Sequence, residues 1–162
     1  MPLSNFTFFL CTLFSVSLVG QNTGQKFDKA LFYQVMEGND SIKINQQLNV
    51  VHNSSIKEKQ AYEGALLLKK AGIVCNKKDK LNTFKTGKQK LESALEKDST
   101  NTEYHFLRLI IQENAPKILG YHTALEKDNL YIRKNYKTLS PIIQQAILGY
   151  SKQSKTLYNL NE

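Results

Sequence analysis

"TEYHFLRLIIQENAPKILGY", residues 102–121, decides the fold of this 162-residue chain. Tyr104, Phe106, Leu107, Leu109, Ile110 and Ile111 crowd its first half. They cover most of a helical circumference rather than one stripe, which is the pattern of a central, buried helix. The capping pair Thr100 and Glu103 predicts that the helix covers 101–114, and Pro116 ends it. His105, Arg108 and Gln112 stand three and four apart, so they share one narrow polar stripe. Arg108 is one of two arginines beside twenty lysines. A planar, permanently charged fork at a core edge has two uses. With His105 and Gln112 it can hold an anionic or polar ligand, or it can pair with a carboxylate such as Glu126 or Asp128.

Outward from this helix the apolar spacing stays helical. Upstream, Leu81, Phe84, Leu91, Ala94 and Leu95 form the stripe of a helix over 80–97. Ser55 with Glu58 is a capping box for a helix carrying Tyr62, Leu66 and Ile73, and "VCNKKD" is the loop between the two. A first helix over 26–37 carries Phe27, Leu31 and Val35 and stops at Gly38. "NDSIKINQQLNVV" fits a helix capped by Asp40 or Ser41, yet "SIKIN" also alternates like a strand. Downstream, Thr123 and Glu126 open a sixth helix with Leu125, Ile132, Tyr136 and Leu139. Ser140 and Pro141 open a seventh whose inner face is Ile142, Ile143, Ala146, Ile147 and Tyr150. The tail after Thr156 is expected to fray.

Residues 1–20, MPLSNFTFFLCTLFSVSLVG, hold no charged side chain. Their apolar run is about 14 residues, short of the roughly 20 that span a bilayer. This is the pattern of a secretory signal peptide, with mature protein starting at Gln21 and one helical domain over 21–162. Cys11 lies inside the run and has no small residue before it, unlike a lipidated cysteine. Without the leader only Cys75 remains, so no disulfide framework holds the fold. Lys77 and Lys78 stand close enough to activate that thiol; the plainer reading is an inert, partly buried one.

The formal charge of +8 falls entirely on residues 21–162. Lysines alternating with Glu and Gln are the mark of a solvated surface, and they also suit an anionic partner. An exported chain poor in arginine is not expected to bind nucleic acid. Membrane contact is expected only through the leader or weak electrostatics. His52, His105 and His122 lack metal-ligand spacing, so no metal is expected. No phosphate loop, G-x-S-x-G or G-x-G-x-x-G is present, so no cofactor is expected either.

"GKQKLESALEKDSTNTEYHFLRL" resembles a tetratricopeptide repeat, with Gly87, Leu91, Ala94 and Ser99 at the family's small, large, small and break positions. Arg108 stands where a small residue belongs, and "VCNKKD" lengthens the turn before the matching helix. Residues 60–150 also resemble a group of short secreted helical proteins of Bacteroidota bacteria. That resemblance implies export and a helical fold, and it brings no catalytic residues.

The expectation is an all-α protein of six to seven helices in antiparallel hairpins, partly tetratricopeptide-like, behind a signal peptide. Its expected role is a periplasmic or secreted, non-catalytic binding or scaffold module with a groove that receives a peptide or partner helix. The candidate binding residues are His105, Arg108 and Gln112. One alternative is a small envelope hydrolase using Glu103, His105 and Arg108. Another is a lysine-rich protein that binds anionic envelope surfaces.

Overall fold

A computed structural model describes residues 26–160; the expected leader, with Cys11, lies outside the described residues. The described residues form seven α-helices: α1 Lys29–Glu37, α2 Ser41–Asn53, α3 Lys59–Ile73, α4 Lys77–Lys97, α5 Thr102–Asn114, α6 Leu125–Asn135 and α7 Pro141–Ser151. Single 3-10 turns lie at Lys117–Leu119 and Tyr136–Thr138. There is no strand among the described residues.

Asp and Asn side chains set most of the helix starts. Asp28 Oδ1 accepts from the backbone N–H of Ala30 and Leu31, so α1 begins at Lys29 rather than 26. Asp40 caps α2 in the same way, which resolves "SIKIN" as helix. Ile44, Gln47 and Val51 face inward at helical spacing, while Ile42 is exposed. Three expected capping boxes do not form. At α3 the helix starts after Glu58, with no side-chain cap. At α5 Asn101 takes the role and accepts from Glu103 N and Tyr104 N, while Thr100 bonds Asp98. At α6 Ala124 is the cap, and Gln112 Oε1 on α5 accepts its N–H at 3.0 Å. The loop "VCNKKD" shortens to Val74–Asn76, because Asn76 caps Lys78 and Asp79 and extends α4 to 21 residues. One aspartate in that first turn also suits the positive end of the helix.

Glycine brings α3 and α4 together. A Cβ on Gly64 would lie 2.6 Å from Leu91 N, and one on Gly87 would lie 2.8 Å from Leu68 N. The pairing runs 64 with 91 and 68 with 87, so the two helices are antiparallel with their backbones touching. In the same sense His105 and Arg108 meet Asp128 while Gln112 meets Ala124, so α5 and α6 are antiparallel too. Helix α5 is central. Ten of its thirteen residues are buried, and it touches α3, α4, α6 and α7.

Two apolar residues expected inside are not. Leu81 and Ile142 are each 43% exposed. In α7 the inner face is Ile143, Ala146, Ile147 and Tyr150, a set at i, i+3, i+4 and i+7 that leaves Ile142 one step outside. The tail does not fray at Thr156. Leu157 is fully buried, and Glu113 accepts from Tyr150 OH, Ser154 Oγ, Lys155 N, Thr156 N and Thr156 Oγ1. Burial alone would raise the Glu113 carboxyl; these donors outweigh it and hold it below the ordinary glutamate range. Arg133 ties the last turn down by donating to the carbonyls of Tyr158 and Asn159.

Candidate functional site

The polar stripe of α5 faces α6 and is closed over. Arg108 donates from Nε to Asp128 Oδ2 at 2.8 Å, from Nη2 to Asp128 Oδ1 at 2.7 Å, and from Nη1 to Glu92 Oε2 at 2.8 Å. Asp128 has no solvent exposure, and the Arg108 side chain is 11% exposed. Between the two carboxylates offered by sequence, Asp128 is the partner, and Glu92 on α4 is a second that sequence did not offer. His105 Nδ1 lies 2.7 Å from Asp128 Oδ1, and Nε2 lies 2.9 Å from the Ser99 carbonyl, so both ring nitrogens face acceptors. Tyr121 OH donates to Glu92 Oε1 at 2.6 Å. Burial alone would push the Asp128 carboxyl up. The hydrogen bonds and charges of Arg108 and His105 outweigh that and hold it below the ordinary aspartate range. Burial opposes the charge on the Arg108 guanidinium, but Asp128 first and then Glu92 outweigh it and raise its pKa. His105, Arg108 and Gln112 are thus brought together, each bonded to the protein itself.

Glu103 does not join them. It turns to the other side of α5, where Tyr33 OH and Tyr62 OH each donate to Oε1 at 2.7 Å and Lys29 Nζ donates to Oε2 at 2.9 Å. Burial first, and then the Glu103 charge, raise both phenols, so they remain donors.

A cavity that can take a ligand lies elsewhere. A half-open groove of about 1150 Å³ runs between the C-terminal ends of α1, α3 and α5, the N-terminal end of α4, the turn at Lys117–Leu119, and α7. Leu68, Phe84, Phe106, Ile110 and Ala146 line it as buried apolar surface. Two exposed apolar side chains stand at its border, Leu81 and Ile118, the latter 94% exposed. Lys69, Lys77, Lys80 and Lys155 complete the lining, and none of these four ammonium groups is in an ion pair among the described residues. Lys69 is half-buried, and burial lowers its pKa. Of the two carboxylates lining the groove, Glu113 has its oxygens taken up by the tail. Only Glu37 remains to oppose the lysines.

A second cleft of about 400 Å³ holds His52, Glu63 and Lys90. Glu63 is 3.1 Å from His52 Nδ1 and 2.6 Å from Lys90 Nζ. No hydroxyl or thiol side chain lines this cleft among the described residues. Cys75 is exposed rather than partly buried. No cluster of His, Cys, Asp and Glu among the described residues can hold a metal ion, and no described helix is long and apolar enough to cross a membrane.

The groove escapes sequence reading because seven separate segments build it, the tail with Lys155 included. The one usable signal is Ile118, an apolar residue between Pro116 and Gly120 with no helical stripe to join; Leu81 reads as part of the α4 stripe, and only the structure shows it exposed. No protein-family model, curated protein or solved structure matches the chain.

Proposed function

We propose that this is an exported, non-catalytic binding or scaffold protein whose groove receives an apolar segment of a partner. The groove itself carries the reading. At about 1150 Å³ it exceeds the roughly 300–1,000 Å³ of ordinary small-molecule pockets, and its apolar wall continues onto exposed side chains at the border. The polar stripe is the weaker candidate, because Arg108, His105 and Gln112 already have their partners within the chain. A tetratricopeptide-like hairpin remains part of the proposal. Its support is the close approach at Gly64 and Gly87, with Leu91 and Ala94 buried behind it on α4.

The groove reading is tested with Nile red, a neutral apolar dye. Gly72 lines the groove, and a Cβ there meets nothing within 4 Å. Gly72→Trp therefore places a large ring at the groove wall with no backbone in the way of its Cβ. The native protein should raise the dye's emission and the variant should lose most of that rise. No rise with the native protein overturns the groove as a binding site.

Export rests on the uncharged apolar leader. Sequencing the N-terminus of protein from its native host should find a start near Gln21. An intact Met1 on the mature material overturns export by this leader.

A further inference from the structure

We infer that the groove's occupant is an acidic amphipathic helix of another polypeptide, seated with its apolar face on Phe84 and Ile110 and its carboxylates against Lys69, Lys77, Lys80 and Lys155. This rests on the groove being a binding site. Three observations choose the occupant. The first is charge: among the described residues, four lysines with no ion pair face one carboxylate, Glu37, that has no partner of its own. A partly buried ammonium such as Lys69 gains most from a carboxylate brought to it out of water. The second is size. A helix about 10 Å across occupies roughly 120 Å³ per residue, so the groove encloses about nine or ten residues, between two and three turns. The third is the border. Leu81 and Ile118 lie exposed where an occupant longer than the groove would cover them. A helix presents apolar anchors at i, i+3, i+4 and i+7 along such a line, with its flanking charges over the lysines.

The chain's own segments fit less well. The leader holds no Asp or Glu and cannot answer the lysines. Among the described helices only α5 has more acidic than basic side chains, Glu103 and Glu113 against Arg108, and it is buried in the core.

The test is fluorescence anisotropy with three labelled synthetic peptides. One is a helix with leucines at i, i+3, i+4 and i+7 and glutamates on both flanks. One replaces those glutamates with lysines. One keeps the acidic sequence but carries a central proline. The acidic helix should bind, more weakly as salt rises, and the other two should bind at least tenfold more weakly. Lys69→Glu with Lys80→Glu should cost the acidic helix about tenfold in affinity, since each lost or reversed pair contributes modestly. Gly72→Trp should block it. Both double and single variants are checked for unchanged helix content and melting.

Equal binding of the acidic and basic helices overturns the inference and leaves the groove reading standing, as does Nile red binding without binding of any peptide. Equal binding of the proline peptide overturns the helical occupant. Acidic-helix binding that survives Gly72→Trp places the contact outside the groove and overturns the inference. Failure of both dye and peptides removes the groove reading along with it.

Discussion

Replacing Arg108 with alanine should lower the unfolding free energy by about 3 to 5 kcal/mol. The reason lies in what stays behind. Asp128 has no solvent exposure, and two of its three side-chain hydrogen bonds come from the guanidinium. Without Arg108 the carboxylate keeps only His105 while remaining buried, and Glu92 keeps only Tyr121. An uncompensated buried charge is far more costly than the net worth of the pair that preceded it. Arg108→Lys should lose less, about 1 to 3 kcal/mol, because an ammonium restores charge but cannot reach Asp128 through two nitrogens and Glu92 through a third.

The same prediction has a pH signature with a definite sign. The Asp128 carboxyl is held below its ordinary value in the folded protein. Its contribution is therefore fully present above about pH 5 and is lost as pH falls through the folded value, below the ordinary aspartate value of about 3.9. Once Asp128 is protonated, the guanidinium keeps only the Glu92 charge to answer. The stability gap between native protein and Arg108→Ala should narrow on acidification. Glu63 and Glu113 are also held low, but both proteins keep them, so they cancel in the difference. Urea unfolding at pH 7 and near pH 3 reads both effects. A gap under about 0.5 kcal/mol at pH 7, or one that widens in acid, would mean that the network does not hold the fold.

Arg108 also shows what sequence could and could not supply. A lone arginine in a helix apolar on nearly every side declares a polar partner, and helical spacing gathers His105 and Gln112 onto its face. The choice between Glu126 and Asp128 needs the register of α6 against α5, and Glu92 needs α4 alongside as well. Neither is a local property. Capping failed for a related reason. A Ser/Thr-x-x-Glu count sees only the chain's own neighbours, whereas Glu103 is drawn inward by Tyr33 and Tyr62 from two other helices. That leaves Asn101 to cap α5. Helix existence was legible because it follows from periodicity. The groove was not, because it exists only where helix ends distant in sequence are brought together.

Gly64→Ala should cost about 3 kcal/mol, although alanine is the better helix former. In isolation the exchange gains up to about 1 kcal/mol for a helix interior. At Gly64 the added Cβ would sit 2.6 Å from Leu91 N, 2.9 Å from the Gly87 carbonyl oxygen and 3.0 Å from Leu91 Cα. All three are backbone atoms of α4, so no side chain can turn aside and one helix must move. Overpacking of this kind costs about 1 to 3 kcal/mol and more where backbone is the obstacle, which exceeds the propensity gain. The shift also opens the interface around Leu68 and Leu91, both buried. Gly87→Ala meets the same barrier from the other side, at 2.8 Å from Leu68 N. Once the helices have separated, the second alanine costs little more, so the double variant should fall well short of the sum. Gly72 is the control on the same helix. Its Cβ position is open, and Gly72→Ala should raise stability by about 0.5 to 1 kcal/mol. Thermal and urea unfolding of the four variants measures the set. If Gly64→Ala proved as stabilising as Gly72→Ala, α3 and α4 would not be in backbone contact, and the close hairpin that shapes one side of the groove would have to be abandoned.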